Sequence, residues 1–234
     1  MEVNIWSDIR CPFCYIGKRK FEAALKKFAH KDKIKVNWRS FELDPNLKTQ
    51  PELSVFEYFV ARKGVSEEAA KQMHRQVTDS ANEAGLNFNF DKAIIANSFN
   101  AHRLIHFAKT KQLADVAEDQ LFMAYFKEGK NIDDDKTLIQ IGASIGLDEN
   151  ELISVLSSNA FAEEVKRDEM TAESIGVHGV PFFVFNDKYA VSGAQSPEIF
   201  LQTLEQSWKE FEKENEANSL ITVEGESCST EGNC

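Results

Sequence analysis

A chain of 234 residues that is 42% hydrophobic and 28% charged is an ordinary globular mixture, large enough for a substantial core, and its 18 phenylalanines supply that core or an apolar groove. The formal net charge of −11 argues against nucleic acid or an anionic membrane surface as a partner, and no apolar run reaches the ~20 residues of a membrane span. Four cysteines are too few for a disulfide-stapled secreted scaffold, and Met1–Trp6 has neither the basic nor the long apolar region of a secretory signal, so a cytoplasmic protein is expected.

The chain opens with Val3-Asn4-Ile5-Trp6, an alternating run that reads as a strand. Phe21, Ala24, Leu25 and Phe28 then recur at helical spacing, predicting an amphipathic helix to about Ala29. Between them lies Cys11-Pro12-Phe13-Cys14. Pro12 suits the first helical position, where its missing N–H costs nothing, and Cys14 falls one turn below Cys11 on the same face. Unpaired backbone N–H groups and the positive end of the helix dipole favour a thiolate at Cys11. A second thiol one turn away can resolve the mixed disulfide that the first one forms. This placement predicts an exposed, attacking Cys11 and a buried, resolving Cys14. A C-x-x-C pair is also half of a zinc site, but the remaining cysteines, Cys228 and Cys234, stand at the far end of the chain and no second C-x-x-C exists. Redox chemistry is the better reading, and no metal site is expected.

A second strand spans Ile34–Phe41, parallel to the first through a right-handed crossover, and Phe41–Asn46 turns the chain away. From Pro51 to about Gly176 the periodicity is helical. Leu53, Phe56 and Val60 mark one helix; Ser66-Glu67-Glu68 opens another that reaches Ala84 before Gly85. Asn97 or Ser98 caps a third, carrying Ala101, Leu104, Ile105 and Ala108. Leu113–Phe126, Asp133–Gly146, Glu149–Leu156 and Phe161–Ile175 complete the set. His102 and His106 share one helix face; with no third ligand apparent, they read as packing or surface histidines.

Pro181 stands directly before the apolar run Phe182–Phe185, which forms a hairpin with Tyr189–Ser192 around Asn186-Asp187. Ser196-Pro197-Glu198 starts a last helix, running to roughly Lys213. The polar segment 217–234 contains Cys228 and Cys234, a pair read as a second redox centre, a transient ligand set for a thiophilic metal, or spare surface thiols. His178, three residues before Pro181, is a candidate neighbour of Cys11, or else an exposed loop histidine.

Five segments in order, S-D-I-R-C-P-F-C-Y-I-G-K, F-E-L-D-P-N, N-S-F-N-A-H-R-L, G-V-H-G-V-P-F-F-V-F and V-S-G-A-Q, resemble the thioredoxin superfamily. Within it they are similar to the DsbA-like group, in the FrnE or 2-hydroxychromene-2-carboxylate isomerase-like branch. The resemblance implies an α/β thioredoxin fold with a large inserted all-helical subdomain. Residues 1–48 and 177–216 would form the discontinuous thioredoxin-like domain, 49–176 the insertion, and 217–234 a flexible tail. It also implies that Pro181 follows a cis bond beside the cysteines and that Val180 meets the substrate backbone, with Pro12 and Phe13 bordering it. Phe13 stands where strongly oxidising DsbA proteins carry histidine, so a less oxidising pair is expected. Asn97 matches a segment that borders the substrate site in isomerases of this branch.

The function expected is that of a thiol–disulfide oxidoreductase, Cys11 attacking and Cys14 resolving, acting on protein disulfides or dithiols. It needs no cofactor beyond its own cysteines, with glutathione or a thioredoxin-type reductant to recycle it. A glutathione-dependent isomerase or transferase of the same fold is the first alternative, although such proteins usually carry serine in the place of Cys11. A non-enzymatic chaperone or metal-binding protein is the second.

Overall fold

The computed structural model describes residues 1–217 of the chain. Strand β1 (Glu2–Ser7) leads into helix α1 (Pro12–Lys27), and β2 (Lys35–Ser40) returns beside β1 in parallel, pairing Trp6 with Arg39 and Ser7 with Ser40. Strands β5 (Phe182–Phe185) and β6 (Tyr189–Ser192) add the antiparallel half, giving a four-stranded sheet in the order β2-β1-β5-β6. Asn186 and Asp187 both take positive φ (50° and 54°), as a two-residue hairpin turn requires. Phe21 of α1 packs on Phe183 and Phe185 of the sheet and on Phe200 of α9 (Pro197–Ala217), the last helix.

Between β2 and β5 lies the helical insertion. It comprises α2 (Val55–Lys63), α3 (Glu67–Glu83), α4 (Phe99–Thr110), α5 (Ala114–Met123), α6 (Asp135–Ser144), α7 (Glu149–Leu156) and α8 (Ala162–Ser174). Its buried apolar side chains join those of the sheet in one cluster, from Ile5 and Ile16 through Leu104, Leu121 and Phe122 to Leu152. Tyr15 of α1 stacks on Phe122 of α5 with ring centroids 4.8 Å apart.

Two local features differ from the sequence reading. Leu53, read as helical, lies in a short strand, β3 (Gln50–Ser54), which pairs with β4 (Ile94–Ile95), so the helical insertion also carries a small two-stranded ladder. The cause is Ser54. Its hydroxyl accepts from Glu57 N (3.1 Å) and its N–H donates to the Glu57 carboxylate (3.0 Å), a reciprocal cap that starts α2 at Val55 and leaves Leu53 upstream. The helix expected over 113–126 continues from α5 as a π-helical turn, Ala124–Glu128, which ends at Gly129 with φ of 69°. A Cβ there would lie 2.3 Å from Lys92 O, so this reversal demands glycine. The turn brings Tyr125 and Phe126 to the end of α1.

Candidate active site

Cys11 caps α1 in an extended conformation (φ −88°, ψ 111°) and Pro12 occupies the first helical position, so the strand-to-helix junction is built as the spacing indicated. Cys11 N donates to Asp8 O (2.9 Å), and Cys14 N to Cys11 O (3.0 Å). Both cysteines are free thiols. Cys14 is 1% exposed. Cys11, read as exposed, is only 5% exposed and this expectation is corrected: the segment ahead of β5 covers it, and its thiol points at Val180 O, 3.5 Å away. The Val180–Pro181 bond is cis. Pro181 is buried against α1, where Gly17 admits it; a Cβ on Gly17 would stand 3.0 Å from Pro181 Cγ. Phe13 is 45% exposed on the rim.

Other expected site residues are placed elsewhere. His178 is exposed and lines none of the cavity beside Cys11. Asn97 accepts from Phe99 N (2.7 Å) and donates to Leu47 O (3.1 Å), which ties down the turn into α4, whose cap residue is Ser98. Cys228 and Cys234 lie outside the described residues.

Beneath the thiols lies a buried polar layer that the sequence reading did not identify. Asp8 faces inward, 0% exposed, with its carboxylate accepting from Arg10 N (3.0 Å) and Leu43 N (2.8 Å) and lying 3.8 Å from His102 Nε2. Burial would raise its pKa, but His102 and the Arg10 guanidinium outweigh this and hold the carboxyl below the usual range. His106 is likewise buried, 3.2 Å from Asp168 and 3.0 Å from Ser40 Oγ. Both histidines are therefore partners of carboxylates below the ends of β1 and β2.

Burial, the neighbouring Cys11 thiol and its charge raise the Cys14 thiol well above its ordinary pKa. A group so covered needs a route by which its proton leaves. Ser7 lies beside Cys14, partly offsetting the rise, and donates its hydroxyl to Glu118 Oε1 (2.7 Å), and Glu118, 1% exposed on α5, is pushed up to about 7 by burial. The three groups form a chain along which a proton can pass from Cys14 through the Ser7 hydroxyl to the Glu118 carboxylate. A faint signal existed, since Glu118 shares a helix face with Leu121 and Phe122, which are buried.

On the other side of Cys11 opens a cavity of about 470 Å3, walled by Val77, Phe90 and Phe126 and bordered by Arg10, Pro12 and Phe13. The site thus has a covered thiol at the start of α1, a second, buried thiol beside Ser7 and Glu118, a carbonyl beside the first sulfur, and a chamber large enough for a small group.

The profile of the DSBA-like thioredoxin domain family matches residues 2–205. The Bacillus subtilis protein YwbO is 27% identical over 214 residues, 89% of this chain and 98% of that one. A probable DsbA oxidoreductase from Streptomyces coelicolor is 37% identical and superposes with a TM-score of 0.85, covering 100% of this chain and 98% of that one. The cytosolic disulfide reductase DsbM of Pseudomonas aeruginosa shares the fold at 16% identity and a TM-score of 0.61, covering 93% of this chain and all of that one.

Proposed function

The chain belongs to the DSBA-like thioredoxin domain family, and from that premise we propose that it is a thiol–disulfide oxidoreductase whose working pair is Cys11 and Cys14. The observation that carries this reading is the arrangement of the two free thiols. Cys11 stands at the start of α1 beside Val180 O and at the edge of a cavity, while Cys14 is sealed beneath it with a proton route. Cys11 attacks a substrate disulfide as the thiolate, forming a mixed disulfide and releasing the first substrate thiolate. Cys14 loses its proton, attacks the Cys11 sulfur and releases the second. The Val180 backbone lies where an extended substrate segment can pair with it, and Pro12, Phe13 and Pro181 border that segment. Protein disulfides and dithiols are the substrates of this reading, and glutathione or a thioredoxin-type reductant restores the dithiol. A structure of DsbM with glutathione belongs to the same fold. The compartment proposed is the cytoplasm; among the described residues no helix is long and apolar enough to cross a membrane.

Reduction of insulin disulfides, run beside glutathione-conjugation and isomerisation assays, tests the reading. The expected outcome is insulin reduction that is lost in Cys11→Ser, together with accumulation of mixed disulfides by Cys14→Ser and none by Cys11→Ser. Conjugation or isomerisation that survives Cys14→Ser, without insulin reduction, would overturn it.

A further inference from the structure

Arg10 borders both Cys11 and the neighbouring cavity, and its charge is not balanced in the usual way. Its Nε and Nη1 are buried without a hydrogen-bond partner, and among the described residues it forms no ion pair. The phenols of Tyr58 and Tyr125 and the carboxylate of Asp8 act on its charge and outweigh its burial, and Glu42 feels that charge in turn. Asp8 is already committed to Arg10 N, Leu43 N and His102. Glu42 is pushed up to about 7 by burial, so near neutrality much of it is uncharged. A guanidinium with two unsatisfied nitrogens at the edge of an apolar chamber leaves a strong demand for an anion.

The chamber says what body that anion carries. Val55, Val77, Phe90, Ile95 and Phe126 supply its walls, and its ~470 Å3 falls in the size range of small-molecule sites. Of the other two cations on its rim, Arg62 is paired with Asp44 at 2.6 Å and Lys63 is exposed to solvent, whereas Arg10 adjoins Cys11. Resting on the oxidoreductase reading above, we propose that this cavity is a subsite for substrates that carry a carboxylate on an apolar, ring-sized body next to their disulfide, with Arg10 as the counter-charge. The reaction is the two-electron exchange already described. The Cys11 thiolate displaces one arylthiolate, Cys14 displaces the second, and the protein ends with a Cys11–Cys14 disulfide that dithiothreitol reduces again. Arg10 acts here as a specificity residue that selects what reaches the sulfur.

The test uses the full chain with Cys228→Ser and Cys234→Ser, so that Cys11 and Cys14 are its only thiols. Pre-reduced protein is mixed in stopped flow with dithiobis-nitrobenzoate, an aromatic disulfide bearing carboxylates, and with dithiodipyridine, a neutral aromatic disulfide. The readout is the ratio of the two second-order rate constants, which a general weakening of the site does not move. Arg10→Gln should lower the ratio roughly tenfold, the worth of one hydrogen bond to a charged group. Arg10→Lys, which keeps the charge, should recover most of it. Glutathione disulfide, whose carboxylates sit on a hydrophilic body, forms the third arm and should lose less than twofold. An unchanged ratio in Arg10→Gln overturns the proposal, as does a fall that Arg10→Lys does not repair. An equal tenfold loss with glutathione disulfide overturns the apolar-body assignment. Failure of the underlying reading looks different, since then insulin would not oxidise the pre-reduced Cys11–Cys14 pair, whatever the ratio of the two aromatic disulfides.

Discussion

Glu118 lies 107 positions from Cys11 in the chain, yet it accepts from Ser7, which lies beside the Cys14 thiol. Its pKa, pushed from an ordinary 4.5 up to about 7, affects turnover and stability in opposite senses. In the turnover proposed above, the carboxylate is the acceptor for the proton of the buried Cys14. Glu118→Gln keeps the shape and the acceptor oxygen for Ser7 but cannot take the proton, so release of the Cys14-dependent product at pH 7 should slow by roughly tenfold to a hundredfold and recover as pH rises. Rapid-quench analysis of mixed-disulfide decay measures this; a pH-independent change would leave Glu118 as packing alone. For stability the sign is set by a folded pKa above the unfolded one. Stability is full below about pH 4.5, falls as pH rises through the interval, and is lowest above about 7. The variant lacks that loss. It should therefore gain on the natural chain by about 3 kcal/mol above pH 7 relative to pH 4, at ~1.4 kcal/mol per pKa unit, as read from urea unfolding at the two pH values.

Helix α1 carries the thiols, and its position is set by a contact that only glycine allows. At Gly17 an added Cβ would be 3.0 Å from Pro181 Cγ, 3.5 Å from Phe183 Cζ and 3.6 Å from Ala194 Cα. Valine there should force α1 off the Pro181 segment. We expect Gly17→Val to cost about 1–3 kcal/mol by overpacking, visible as a lower urea midpoint, and to slow insulin reduction as the gap between Cys11 and Val180 changes. The same balance explains what could be read of the elements beforehand. Pro12, Asn186-Asp187 and Pro197 announced their junctions because their backbone preferences are local. Leu53 misled because an apolar residue at helical spacing says nothing of the Ser54–Glu57 cap that starts α2 two residues later. The β3–β4 ladder was invisible for a related reason: two residues of β4 carry no periodicity.

At the scale of the whole molecule, insertion and sheet are joined by charge as well as by the shared core. Lys18 of α1, 1% exposed, is hydrogen-bonded to Glu22 and to Asp115 of α5 (2.9 Å), and Trp38 of β2 donates to the same Asp115 (3.0 Å). Arg19 reaches Asp119 one turn further along α5. Glu22 and Asp115 are 26% and 63% exposed, so they keep part of their solvation without Lys18, whereas Lys18 without them is an unpaired buried cation. The asymmetry predicts that Lys18→Met stays within about 1 kcal/mol of the natural chain while Glu22→Gln with Asp115→Asn costs roughly 2 kcal/mol or more, by chemical unfolding. Equal effects would show that the pairing, rather than the burial of Lys18, sets the balance. The strand–helix setting of Cys11 and Cys14, the parallel β1–β2 pair, the closing hairpin and the helical run between them were legible in the residues alone. Those follow from periodicity, proline and turn residues acting over a few neighbours. That Val180 covers Cys11, that Asp8 turns inward to His102, that Ser7 and Glu118 lie under Cys14 and that Arg10 borders an apolar chamber emerged from the folded molecule. The first depends on the pairing of β5 with β1 and the others on where α3, α4 and α5 come to rest against the sheet, contacts between residues far apart in the sequence, which leave no local pattern along the chain.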